Sequence, residues 1–165
     1  KAGYTTAADL EELIKKINDF RPSVIFTMDN EMGGYGHPDH VFISQLVLDL
    51  FTTKQISINR IYQGVYTDHM EHEIIDTWLY NRMKKYDFPN PYDIGKKVYN
   101  VTGMPEPNIQ INIEDQADTK MNYLKAYHND ARKNMRKFIP YFEEFDAQTY
   151  FSVFNHEFYR VIEKK

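Results

Sequence analysis

Apolar residues recur at helical spacing at Leu10, Leu13, Ile14, Ile17 and Phe20, with Thr6 in the position of an N-cap. Residues 7–20 therefore read as an amphipathic helix that turns those five side chains inward. Arg21-Pro22-Ser23 stops it, and Val24–Met28 follows as a short apolar strand of the kind buried in a parallel sheet. A glycine-rich loop comes next, in the string EMGGYGHPDH at residues 31–40. Pro38 suits the first turn of a helix running through Val41, Ile43, Leu46, Val47 and Leu50. That helix is apolar nearly all round, which predicts burial. Ile58–Thr67 is β-branched and aromatic enough for another strand.

The second half is less regular. Ile74, Ile75, Trp78, Leu79 and Met83 mark a helix, and residues 87–108, with Pro89, Pro91, Pro105 and Pro107, read as a long surface loop. Ile109–Ile113 alternates with polar residues, as an edge strand does. Residues 118–138 form a charged helical pattern with Met121, Leu124, Ala131, Met135 and Phe138 inward, and Tyr150–Ile162 reads as a final aromatic strand. This order predicts an α/β layered domain with a partly parallel sheet.

Composition narrows the function classes. A chain of 165 residues, 42% of them hydrophobic, can bury one ordinary core and reads as one domain. Its net charge of −4, with acids and bases interleaved, carries no nucleic-acid footprint. No apolar stretch approaches the roughly 20 residues of a membrane span. The absence of cysteine excludes disulfides and thiolate metal sites, so a metal here must be held by His, Asp or Glu. It also suits a cytoplasmic location. The chain opens KAGYTTAADL, without Met or an apolar signal core, and reads as the interior of something longer.

The glycine loop holds the chemistry. In open α/β sheets ligands bind beyond the carboxyl ends of strands, where this loop falls. Gly33, Gly34 and Gly36 let the backbone take positive φ and pass close to a ligand. His37 and His40 stand three apart across a Pro-initiated turn, so their imidazoles can share one side. They can bind a metal together, or one can bind while the other shuttles a proton. Asp39 can orient an imidazole through its second N–H. The plain alternative is a turn whose Asp and two solvated histidines simply cap a helix.

The string RPSVIFTMDNEMGGYGHPDHVFISQLV closely resembles the second signature of the LmbE-like, or PIG-L, family of metal-dependent N-deacetylases. The resemblance covers Pro22 to about Val47. It implies a Rossmann-like fold, a zinc or other divalent ion, and hydrolysis of an N-acyl amide on an amino-sugar-containing small molecule. By the same resemblance His40 is the metal ligand, and His37 is the catalytic histidine that protonates the leaving amine. Tyr35 is a mobile oxyanion contact, and Asp39 is the partner of His37. Gly34, Gly36 and His69 border the substrate. The chemistry is consistent: amide hydrolysis needs a nucleophile stronger than bulk water, which a divalent ion provides by lowering the pKa of water to about 7. It also needs an acid for the departing amine and donors for the oxyanion.

The family's first signature, a His-Pro-Asp-Asp type turn after a strand, supplies two further ligands and the general base. No such string occurs in this chain; the only His-Pro-Asp is at 37–39. Residues 1–165 thus read as the C-terminal part of a single LmbE-like domain, incomplete at its N-terminal side. The alternative is a non-catalytic domain that keeps the fold and binds a sugar or a partner. The sequence leaves a homo-oligomer open. Elsewhere, His69–Glu73 reads as a solvated first turn, or an HxxH metal pair, and His156-Glu157 as structural. Tyr127 and His128 occupy a late-helix position where the family's His-x-Ser-Gln pattern is absent. Asn100-Val101-Thr102 matches a glycosylation sequon.

Overall fold

The computed structural model of the chain describes residues 7–34, 36–65, 97, 105–128, 131, 133, 142–152 and 154–164. The elements are α1 (Ala7–Phe20), β1 (Val24–Met28), α2 (Pro38–Thr52), β2 (Arg60–Gly64), β3 (Ile109–Asn112), a 3-10 turn at Glu114–Gln116, α3 (Ala117–Ala126), a second 3-10 turn at Phe142–Glu144, α4 (Ala147–Phe151) and β4 (His156–Glu163). The fold is α/β, with a four-stranded mixed sheet in the order β1-β2-β4-β3. β1 and β2 run parallel, with Ile25 opposite Ile61. β4 runs antiparallel to β2, with Arg160 opposite Gln63. The chain divides into two compact units, residues 1–66, 101–109 and 159–165 in one and 67–100 and 110–158 in the other.

The first unit is built on β1–α2–β2, a parallel pair joined by a helix as parallel strands require. Val47, Leu50 and Phe51 of α2 are buried with Ile56, Ile58 and Ile61, and Leu10, Leu13, Ile14 and Ile17 of α1 pack against them. Asn18 fastens α1 to the segment after α2, donating to the Gln55 carbonyl and accepting from the Ser57 N–H. Thr27 Oγ1 meets the buried Ser44 Oγ at 3.0 Å, which fixes β1 against α2. On the opposite face of the sheet, Phe26, Tyr62 and Tyr159 form a ring cluster with centroids 5.1–5.7 Å apart.

The second unit has its own core: Ala117, Met121 and Leu124 of α3 with Phe142, Ala147, Tyr150 and Phe151. Burial pushes the Tyr150 phenol far above its ordinary range. Asp146 caps α4, its carboxylate accepting from both the backbone N–H and the hydroxyl of Thr149.

Several expected boundaries move. α1, β1 and the start of α2 fall where the pattern predicts, but Phe20 points to solvent at 82% exposure. It is the last residue of α1, and Arg21 at φ 52° turns the chain away before anything can cover it. α2 is not buried all round, since Phe42 and Ile43 are exposed. β1 is only half covered: alternation turns Phe26 and Met28 away from α2, and both are exposed. Of the strand expected at 58–67, the described residues form β2 over Arg60–Gly64, and residues 66 and 67 lie outside the described residues. The helix expected over 118–138 is broken after Ala126, where Tyr127 is extended at ψ 136°; Ala131, expected inward, is exposed, and Met135 and Phe138 lie outside the described residues. The final strand begins at His156, and Tyr150 sits in α4 as a core residue. The helix predicted around Ile74–Met83 and most of the proline-rich loop lie outside the described residues.

Candidate active-site loop

Directly after β1 comes Asp29, a residue fully buried at the carboxyl end of the parallel pair. Its carboxylate collects the loop: Oδ1 accepts from the N–H of Glu31 at 3.0 Å and of Met32 at 2.6 Å, and Oδ2 from the N–H of Gly34 at 3.0 Å. Its own carbonyl accepts from Gly33 at 3.1 Å. Four backbone donors that would otherwise go unpaired in a tight turn are satisfied by one residue. Sequence reasoning missed Asp29. The available signal was an Asx residue at the end of an apolar strand, four and five places before glycines.

The glycines bend the loop back onto α2. Gly33 has φ 58°, and a Cβ there would lie 2.7 Å from the Val41 nitrogen and 2.8 Å from the His40 Cβ. This approach lets the Gly33 carbonyl reach His40 Nδ1 at 3.0 Å. Gly34 and Gly36 also take positive φ, both at 85°.

His37 is the N-cap of α2, with Pro38 at the first helical position as expected. Its carbonyl accepts from the N–H groups of His40 and Val41, while its ring Nδ1 accepts from the backbone N–H of Asp39 at 3.2 Å. Contact between His37 and Asp39 therefore runs through the Asp39 backbone, and the Asp39 carboxylate lies in the exposed first turn. The imidazoles of His37 and His40 are brought together, ring centroids 4.8 Å apart.

These hydrogen bonds give the two rings opposite tautomers. A carbonyl only accepts, so His40 presents a proton at Nδ1 and keeps the Nε2 lone pair in its neutral form. A backbone N–H only donates, so neutral His37 has its lone pair at Nδ1 and its proton at Nε2. One ring is set up as a ligand or acceptor at Nε2, the other as a donor at Nε2. A histidine whose second nitrogen is fixed by a backbone carbonyl is the arrangement metal-binding histidines use. Among the described residues, no group of three His, Asp or Glu side chains gathers into a metal cage.

Tyr35 and His69 lie outside the described residues, as do Glu73 and Asn100. The remaining polar candidates belong to the second unit. His128 is exposed, and Tyr127 caps α3 with its hydroxyl 2.7 Å from that of Tyr123, a hydrogen bond that raises its pKa. His156 Nδ1 lies 2.8 Å from Asn155 Oδ1, and Glu157 pairs with Lys120. In the described residues no helix is long and apolar enough to cross a membrane.

Short stretches of the chain are similar to known amidases and deacetylases. A stretch of 40 residues, 24% of this chain and 13% of the relative, is 50% identical to a mycothiol S-conjugate amidase of Streptomyces coelicolor. A stretch of 36 residues is 53% identical to a 1D-myo-inositol 2-acetamido-2-deoxy-alpha-D-glucopyranoside deacetylase of Nakamurella multipartita, covering 22% of this chain and 12% of that one. A protein of the same name from Streptomyces avermitilis is 47% identical over 45 residues, 25% of this chain and 15% of the relative. Each match thus spans a small fraction of the relative's own length. No family model matches the chain, and no solved structure matches it.

Proposed function

We propose that this chain carries the acid and one metal ligand of a zinc-dependent N-deacetylase of the LmbE-like family, with a Rossmann-like fold, acting on an N-acetylated amino-sugar conjugate. The observation that carries this reading is the pair of imidazoles on the first turn of α2, 4.8 Å apart and held in opposite tautomers. The relatives, named as an amidase and as deacetylases of an acetamido sugar linked to inositol, support the same reaction class.

His40 suits a divalent ion, because its Nδ1 proton is engaged by the Gly33 carbonyl and its Nε2 lone pair is the donor atom. Zinc, or another divalent ion in that place, supplies Lewis-acid activation of water and substrate carbonyl when bound. His37 serves as the acid in its imidazolium form, giving a proton to the departing amine nitrogen as the C–N bond breaks and returning to the neutral ring. Tyr35 donates its hydroxyl to the developing oxyanion, and the backbone at Gly34 and Gly36 gives substrate room to approach. The remaining ligands and the general base come from a first signature that this chain does not carry.

The test uses the full-length protein, with acetate release from N-acetylglucosamine conjugates and bound metal measured together. His40→Ala should lose metal and activity in step. His37→Ala should keep its metal and lose about 10²–10⁴ in turnover, since an acid is not a ligand. Equal metal loss in both variants would overturn the division of roles. A wild-type protein that binds amino sugars but releases no acetate would make the chain a sugar-binding module instead.

A further inference from the structure

A second polar network lies under the same loop, in the first unit. Gln63 of β2 is fully buried, on the face of the sheet that carries Ile61. Directly across from it, Arg160 of β4 donates from Nε at 3.0 Å and from Nη2 at 2.9 Å to Gln63 Oε1. Arg160 Nη2 also donates to Asn30 Oδ1 at 2.6 Å, and Nη1 to Glu31 Oε1 at 2.5 Å. Gln63 Nε2 closes the circuit by donating to the same Asn30 Oδ1 at 3.0 Å. The Asn30 carbonyl accepts from Gln45 of α2 at 3.2 Å. Asn30 and Glu31 are the two residues after Asp29, where the loop leaves the sheet.

We infer that Arg160 is a positioning residue for the histidine loop, locking its root to β2 and β4 so that the Asp29-centred turn holds Gly33 against His40. The inference rests on the proposed catalytic role of that loop only for its effect on turnover. The chemistry of the donor set supports it. A guanidinium offers several N–H groups in one plane and accepts nothing, so its fork can serve a β-strand amide and two consecutive loop side chains at once. Gln63 is oriented by the same rule: its oxygen faces donors only and its nitrogen faces an acceptor. Without Arg160 a buried amide oxygen loses its partners, and Asn30 Oδ1 is left to a single donor, Gln63 Nε2. A lysine ammonium, with three donors on a flexible stem, cannot reproduce the planar three-way contact.

The experiment compares full-length wild type with Arg160→Met, Arg160→Lys and Glu31→Ala. Hydrogen exchange at the amides of Met32 and Gly34, exchange at the Ile61 amide as a core reference, imidazole NMR signals of His37 and His40, and kcat and KM are all read. Arg160→Met should speed exchange at Met32 and Gly34 about ten- to hundredfold, the factor a charge-assisted hydrogen bond carries, with Ile61 unchanged. It should shift the His40 ring signals and lower kcat with KM little altered, and Arg160→Lys should not rescue either effect. Loop exchange and imidazole signals like wild type in Arg160→Met would overturn the inference. Should Arg160→Met unfold the core, Glu31→Ala decides, because its side chain is largely exposed and its loss leaves Gln63 paired. Loop exchange unchanged in Glu31→Ala would then overturn it. A wild-type protein without deacetylase activity would refute the catalytic reading alone, because exchange and ring signals still report on the lock.

Discussion

Gly33 links the backbone of the loop to the ring of His40. Its φ of 58° disfavours any side chain, and an added Cβ would lie within 2.8 Å of both the α2 backbone and His40. Neither neighbour is the far end of a flexible side chain, so the loop itself must move. Gly33→Ala should therefore break the bond from His40 Nδ1 to the Gly33 carbonyl, costing about 1–3 kcal/mol of stability. On the proposed role of His40 as a metal ligand, it should lower the metal affinity of the full-length protein about 10–100-fold, as loss of an outer hydrogen bond to a ligand does. Metal titration of the variant checks this, and wild-type affinity would show that the Gly33 carbonyl does not orient His40. Asp29 has a different place in the same turn. Its carboxylate carries three loop N–H groups, which no neutral side chain of its size can accept together.

Among the elements, α4 shows how a short helix depends on its cap. Five residues make barely one turn, so α4 draws its persistence from Asp146 at the N-cap and from burying Ala147, Tyr150 and Phe151. The hydrogen bonds from Thr149 hold the Asp146 carboxyl below its ordinary range. A carboxyl depressed in the folded state binds its proton more readily in the unfolded chain. Its contribution is therefore complete above the ordinary carboxylate pKa of about 4 and is lost as pH falls through the folded value. Asp146→Asn should keep a cap and flatten this part of the acid limb in a stability–pH curve. Asp146→Ala should lower stability at neutral pH as well. An Asn variant whose acid limb matches wild type would show that the cap is not the group titrating. The packing of α2 on β1 uses instead a hydroxyl pair, Thr27 with Ser44, neither of which titrates in this range.

For the molecule as a whole, the exposed apolar surface sets the expectation. Among the described strands β1 lies at the sheet edge, and it exposes Phe26 at 64% together with Met28. Phe42 and Ile43 of α2 are exposed too. An apolar edge strand is a template for pairing with another chain. Expressed by itself, the 165-residue chain should associate with rising concentration and hold zinc below one ion per chain, since the proposed reading gives it one ligand, His40, where three are needed. On the proposed deacetylase reading, adding a segment that carries the first signature should confer metal binding and amidase activity together. Phe26→Glu should reduce self-association of the lone chain in sedimentation experiments. A monomeric lone chain with stoichiometric zinc would contradict both expectations.

Periodicity was enough to place α1, β1 and the start of α2, because each is a short-range pattern bounded by its own stop signal: Arg21-Pro22 after the helix, the glycine run after the strand, Pro38 before the next helix. The loop chemistry was legible for the same reason, since glycines, histidines and the proline lie within eight residues of one another. What lay beyond the sequence was everything set by partners far along the chain. Gln63 and Arg160 are 97 positions apart and become neighbours only through antiparallel register, so a polar residue at a buried strand position was the sole hint of either. Tyr150 joined an aromatic run that looked like strand, and packing against α3 and Phe142 drew it into a helix. The tautomers of His37 and His40 were undetermined by composition or spacing. Tertiary structure decided them, because a ring nitrogen takes its proton or its lone pair from whichever backbone group the fold sets beside it.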